Sequence, residues 1–128
     1  MPPVPLYLSQ EWIEALDRAA DGVVVEPDVA VILQVRIDGA PTGDVAYAVT
    51  LADGAVRVTP GEAAGTSVVL TQSYETAVAV ATARTNALEA LQRGDIAIEG
   101  DADRLRAAQP ALTALDAAAA AVRAETTF

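Results

Sequence analysis

The chain has 128 residues, 52% of them apolar but only 4% aromatic, and a formal charge of −10. It contains no cysteine and no histidine, which excludes disulfides, thiolate metal sites and cysteine nucleophiles and removes the most common general base and metal ligand. All eight cations are arginine, set against eighteen carboxylates, a balance that disfavours nucleic acid and anionic membrane surfaces as partners.

The length fits one domain over residues 1–128, large enough for an unaided core. The opening MPPVPLYLSQ has neither a basic region nor a long apolar core. It reads as an extended arm over residues 1–8 rather than a signal peptide. No run approaches the roughly 20 apolar residues of a membrane span, so no stable membrane insertion is expected, and a cytoplasmic setting is compatible. Ser9 is placed to cap a helix from Gln10, with Trp12, Ile13, Leu16 and Ala20 on one face and Gly22 as its stop.

Period two begins at Val29. Val29, Val31, Leu33, Val35 and Ile37 form one side of a first strand, and Gln34, Arg36 and Asp38 make the second half of its other side polar. The 39–43 segment is a loop. A second strand, Asp44 to Leu51, puts Val45, Tyr47, Val49 and Leu51 on one face. Asp53-Gly54 is the preferred dipeptide of a two-residue hairpin turn, followed by a strand with Val56 and Val58 inward. After the TPGEAAG loop, residues 66–71 form a fourth strand.

From Ser73 the periodicity turns helical. Tyr74, Ala77, Val78 and Ala81 share one face, and Leu88 and Leu91 share another beyond a break near Thr85. Gly94 ends that helix in the left-handed conformation. Ile96 and Ile98 point inward from a short fifth strand. Gly100 turns the chain, and Asp101 caps a further helix whose positive end Asp103 favours. Leu112, Leu115, Ala119 and Val122 recur at helical spacing through 110–128. Five consecutive alanines from Ala117 give that helix high propensity but little to bury, so light docking is expected. The fold class is α+β, with a five-stranded, mainly antiparallel sheet and helices packed on one face.

Two stretches carry a resemblance. VVLTQSY, Val68 to Tyr74, resembles the strand that runs into the central helix in the sterol carrier protein 2 family. NALEALQRGDIAIEGD resembles the helix, glycine, short strand and Gly-Asp segment of the same family, with Asn86, Ala90, Gly94, Ile96, Ile98, Gly100 and Asp101 at matching spacing. Element order and length agree from about Ser9 to Leu115. Ala87 stands where a proline often follows the asparagine, and Leu91 and Gln92 stand where the family often has bulky aromatics. The resemblance implies a carrier of lipids or similar apolar molecules, held in a tunnel between sheet and helices with the C-terminal helix near the entrance. Fatty acyl, isoprenoid and sterol-like molecules are the implied ligands, with no cofactor and no metal.

The residues fit a cavity or a close approach of two layers. Leu33, Val35, Tyr47, Val49, Val58 and Leu70 face inward from the sheet. Val78, Ala81, Leu88, Leu91, Leu105 and Leu112 face them from the helices. Alanine opposite a sheet leaves volume that Phe or Leu would fill. A buried Trp12 or Tyr47 needs a partner for its polar atom, which a ligand hydroxyl or carboxylate, a backbone carbonyl or water could supply. Arg36, Arg57 and Arg84 are not aimed inward, so a neutral or singly charged ligand is favoured over a polyphosphate. Ser73 and Thr71 lack an activating histidine, and Glu11, Glu14 and Asp17 read as a solvated helix face. The expectation is non-catalytic binding or transfer, with the last helix as a lid. The alternatives are an accessory homodimerisation module using Ala30, Ile32, Ala46 and Ala48 on the outer sheet face, or a carboxylate-only enzyme acting on an apolar metabolite.

Overall fold

The structure, a computed structural model, describes residues 7–41, 43–82 and 84–126, excluding the side chains of residues 87 and 88. Most of the arm expected over residues 1–8 therefore lies outside the described residues. Tyr7 and Leu8, at its end, are buried in the core.

Helix α1 (Gln10–Ala20) begins as expected, with the Ser9 hydroxyl accepting from Trp12 N at 3.2 Å. Trp12, Ile13, Leu16 and Ala20 form its buried face. Strands β1 (Val31–Ala40), β2 (Gly43–Ala52) and β3 (Ala55–Pro60) form an antiparallel meander. Its second turn is Asp53-Gly54, with φ of 54° and 76°, the left-handed pair that matches the twist of a hairpin. Strand β4 (Val68–Ser73) leads into α2 (Tyr74–Ala81) and α3 (Ala87–Gln92). Strand β5 (Ile96–Gly100) then precedes α4 (Ala102–Ala107) and α5 (Gln109–Ala124). Ser73, Asn86 and Asp101 cap their helices by accepting from the third residue onward, a bond that satisfies an otherwise orphaned N–H.

The sheet order is β3-β2-β1-β4-β5. It is mixed, because β4 pairs parallel to β1 while the other three pairs are antiparallel. Strand β3 runs in the direction of β1, so the chain must cross the sheet before β4 can do the same. Such crossings commonly use a helix; here the 61–67 segment makes it.

That crossing corrects the expectation that Gln34 belongs to a polar outer face. Gln34 is 1% exposed. Its amide nitrogen donates to Tyr47 O and Gly61 O, each at 3.1 Å, and its oxygen accepts from Ala63 N at 2.8 Å. The irregular backbone of the crossing cannot pair with a strand there, so one glutamine pairs with it instead. Ala48 is fully buried, whereas Ala30 remains exposed and Ile32 and Ala46 are half-buried. Arg36 extends the attachment through an ion pair to Glu62 at 3.0 Å. Replacing Gln34 with Leu strands an N–H and two carbonyls. We expect a loss of about 3 kcal/mol in unfolding free energy, read by urea titration, with the ellipticity spectrum preserved.

On the opposite face α1, α2 and α5 cover the sheet. Asp17 of α1 accepts from Val58 N at 2.7 Å and pairs with Arg57 at 3.3 Å. One carboxylate thus ties the helix to β3 and closes a donor on that edge strand. No helix among the described residues is long and apolar enough to cross a membrane.

Candidate functional site

The strand registers line up three inward rows beneath the helices. Tyr47, Val35, Leu70 and Ile98 form one row; Val49, Leu33 and Val68 lie to one side of it; Val45, Ile37, Gln72 and Ile96 lie to the other. Alternation from Val68 and Leu70 brings Gln72 to the inward face, a polar side chain in an otherwise apolar layer.

Above the central row the layers do not close. A cavity of about 280 Å³ lies between the sheet, α1, α2 and α5. Leu33, Val35, Tyr47, Val49 and Leu70 form its floor, and Trp12 and Leu16 bound it from α1. Helix α2 offers Ala77, Val80 and Ala81, and α5 offers Leu112, Leu115, Ala119 and Val122. Small residues make the void: Ala77 and Ala119 face it where a larger side chain would bridge the layers. Asp116 and Arg123 of α5 also line it, and the exposed Asp116 side chain marks its mouth.

Seven of the inward residues picked from the sequence therefore meet at one cavity: Leu33, Val35, Tyr47, Val49, Leu70, Ala81 and Leu112. The others do not line it. Val58 is buried where α1 crosses β3. Val78 packs against the core, and α2 turns Val80 toward the void instead. Leu91 is 39% exposed because α3 sits against β5 at the sheet edge. Leu105 belongs to α4, which is separated from α5 at Ala108 and packs outside the chamber. The Leu88 side chain lies outside the described residues.

Two polar residues at the cavity lie outside the sequence reading. Arg123, which was not weighed with Arg36, Arg57 and Arg84, reaches the cavity, and its Nη1 is 3.0 Å from Asp116 Oδ1. Gln72 was not singled out, although counting by twos from Val68 places it inward.

The aromatics gather at one end. Tyr7 stands edge-on to Trp12 at 4.9 Å between ring centroids, and Trp12 edge-on to Tyr47 at 5.7 Å. Tyr74 is 6.2 Å from Tyr7. The Tyr7 hydroxyl donates to Ala77 O at 3.4 Å. Trp12 Nε1 and Gln72 Oε1 are buried without a hydrogen-bond partner.

Burial pushes the Tyr47 phenol up to about 12. Burial also raises Tyr7, with Tyr47 and Tyr74 adding to the rise and Arg123 opposing it. A tyrosine normally ionises near 10, so above pH 10 the folded protein retains protons that the unfolded chain releases. The stability contributed by the neutral Tyr47 phenol is therefore intact below about pH 10 and lost as pH rises toward 12, and that of Tyr7 also begins to fall above about pH 10. Urea titrations are expected to give a falling unfolding free energy across that window, by at most about 1.4 kcal/mol per pH unit per tyrosine. Tyr47→Phe should flatten the fall.

An open five-stranded sheet with helices on one face and a chamber between the layers defines an α+β fold built around an internal apolar site. The SCP-2 sterol transfer family model matches residues 14–113, and the chain belongs to that family. Both stretches that carry the sequence resemblance lie within the matched span. The chain is similar to sterol carrier protein 2-like 2 from Aedes aegypti in the solution structure of its palmitated form, at 28% identity and a TM-score of 0.60 over 83% of this chain and 94% of that one. It is also similar to a crystal structure of the Aedes protein, at 25% identity and a TM-score of 0.58 over 76% and 89% of the two chains. A crystal structure of sterol carrier protein 2 shares the fold at 20% identity and a TM-score of 0.64, over 94% of this chain and 99% of that one. No curated protein matches the chain.

Proposed function

We propose that the protein binds and carries an apolar small molecule of the fatty acyl, isoprenoid or sterol-like class, without chemical transformation. The observation that carries this reading is the void itself, set in the middle of the contact between layers, where a filled core would have its densest packing. Sealed and dry, an apolar cavity of about 280 Å³ would cost roughly 7 kcal/mol in lost packing, comparable to the net stability of a domain, about 5–15 kcal/mol; the mouth beside Asp116 lets water or a guest occupy the space instead. Such a cost is consistent with a space that is filled during function. Membership of the SCP-2 sterol transfer family and likeness to a relative described in palmitated form support the same class of guest.

Helix α5 serves as the lid. It supplies four apolar lining residues, and its buried anchors are Ala111, Leu115 and Ala119. Two of the three are alanine, so rolling or lifting this helix sacrifices less apolar contact than moving α1.

Trp12 is the chain's single tryptophan and lines the cavity, so its fluorescence reports occupancy directly. Titration with a fatty acid or isoprenoid alcohol is expected to give a saturable one-to-one change. Native mass spectrometry of freshly purified protein, followed by organic extraction, should reveal a retained lipid. Absence of both retained mass and saturable fluorescence change overturns the proposal.

A further inference from the structure

Helix α5 brings an ion pair to the cavity wall. Leu112, Leu115, Ala119 and Val122 form its apolar stripe, and Asp116 and Arg123 line the cavity beside them. The two are seven residues apart, about two turns or roughly 10 Å along the axis. Arg123 Nη1 nonetheless lies 3.0 Å from Asp116 Oδ1. Helical side chains lean toward the N-terminus, so the arginine stem runs back along the stripe and carries its head to the mouth. Its side chain is 27% exposed, against 49–80% for the five other arginines that form ion pairs. None of those five lines this cavity. The Arg123 charge also opposes the rise in the Tyr7 pKa, so the guanidinium is within electrostatic reach of a cavity-lining phenol.

The pair leaves most of the guanidinium unused. Five N–H donors in a planar fork can take a carboxylate bidentately. Here one N–H meets one oxygen, and no other N–H of Arg123 bonds to a described residue. The Asp116 side chain is 73% exposed, so water can solvate it on release, and an exposed pair of this kind is worth little. A second carboxylate at the mouth can take both arms of the fork, a stronger arrangement. The net charge of −10 opposes an anion at a distance. Salt screens that field beyond about 8 Å, which leaves the adjacent arginine to decide at contact. One arginine balances one charge, which suits a carboxylate better than a phosphomonoester carrying about −1.5 to −2.

Building on the carrier reading above, we infer that Asp116 is an exchangeable partner: the ionised carboxylate of an entering single-chain amphiphile replaces it on Arg123. Arg123 thereby determines the head group, and the tail lies over Leu33, Val35, Val49 and Leu70. At about 30 Å³ per water-sized group, the void of about 280 Å³ takes on the order of ten heavy atoms of tail.

The test compares sodium nonanoate with 1-nonanol at pH 7, by calorimetry and by Trp12 fluorescence. The two share a nine-carbon chain and differ in the charge of the head. Nonanoate is expected to bind the wild type on the order of tenfold more tightly. Arg123→Met keeps a stem and removes the charge. It should weaken nonanoate on the order of tenfold while changing 1-nonanol by less than about threefold. Asp116→Asn removes the competitor and should tighten nonanoate about threefold. That gain should vanish when the substitution is combined with Arg123→Met, because the two side chains act through one contact.

Equal binding of the two ligands to the wild type, or preference for the alcohol, overturns the anchor and leaves the carrier reading standing. A gain from Asp116→Asn that persists without Arg123 overturns the exchange, since it reports general repulsion. An equal loss of both ligands in Arg123→Met assigns the arginine to packing and overturns its role in head-group choice. Saturable binding of neither ligand overturns the carrier reading, and this inference with it. The wild-type comparison decides the matter even if a variant fails to fold.

Discussion

Gly100→Ala is expected to cost about 4 kcal/mol or to abolish folding, whereas Gly94→Ala is expected to cost about 1 kcal/mol, although one glycine ends the five-residue strand β5 and the other lies just before it. Each has positive φ, +115° at Gly100 and +82° at Gly94, so each alanine bears the left-handed penalty. The difference lies in what surrounds them. A Cβ at Gly94 meets nothing within 4 Å. One at Gly100 would sit 2.3 Å from Ser67 O and 3.0 Å from Val68 Cα. Ser67 O already accepts from Asp101 N at 3.0 Å, while Ser67 N donates to Ile32 O at 2.9 Å. The obstructing carbonyl is thus fixed between β1 and the entry to α4 and has no room to retreat. Gly94 by contrast completes a helix ending, with its N–H on Leu91 O and that of Asp95 on Ala90 O, a bond pattern that tolerates a strained Cβ in open space. Urea titration of both variants isolates the close approach as the difference between them. Equal costs would mean that β5 can move away from β4 freely.

The two glycines illustrate what the sequence made legible. Their spacing around an alternating five-residue run located β5 and its flanking turns, and capping chemistry located the starts of α1 and α4. Whether a glycine serves a turn or a near-contact depends on a neighbour thirty residues away, which no local pattern encodes. The parallel β1–β4 pair was hidden for a related reason. Alternation in Val68 to Gln72 is the same for either strand direction, and only the path of 61–67 settles it. Gln34 was then misassigned because its burial comes from that path.

The cavity divides in the same manner. Its floor was readable, because period two fixes which strand residues share a side, and Leu33, Val35, Tyr47, Val49 and Leu70 follow from it. The same count reaches Gln72, and the apolar selection stopped one step short. Its roof was harder. A helix can roll by a fraction of a turn without altering its sequence pattern, and that roll decides between Val78 and Val80. The break at Ala108 separates Leu105 from Leu112, two residues that one continuous helix would have brought to a common wall. Arg123 was not among the residues weighed for the cavity; a long arginine stem can line an apolar wall while its head reaches the mouth.

Ala119→Phe is expected to abolish binding and stabilise the protein together, an opposition that a residue of the ordinary core would not produce. Ala119 is 9% exposed and lines the cavity from the middle of α5. A phenyl ring there projects into space now vacant, so it gains apolar burial without displacing other side chains. Filling of this sort commonly raises stability by about 0.5–2 kcal/mol. The same ring competes for the volume that an aliphatic ligand needs, and a loss of affinity on the order of a hundredfold is expected. In a filled core the outcome would reverse: overpacking would cost about 1–3 kcal/mol. Leu115→Ala supplies the complementary arm. Leu115 is 7% exposed and borders the same void one helical turn away. Its truncation enlarges the chamber and should cost about 2–5 kcal/mol of stability, while shifting preference toward bulkier ligands. Thermal melts paired with calorimetry on the two variants read both signs. A destabilised Ala119→Phe with unchanged affinity would mean that α5 closes over solid packing and that ligands bind elsewhere.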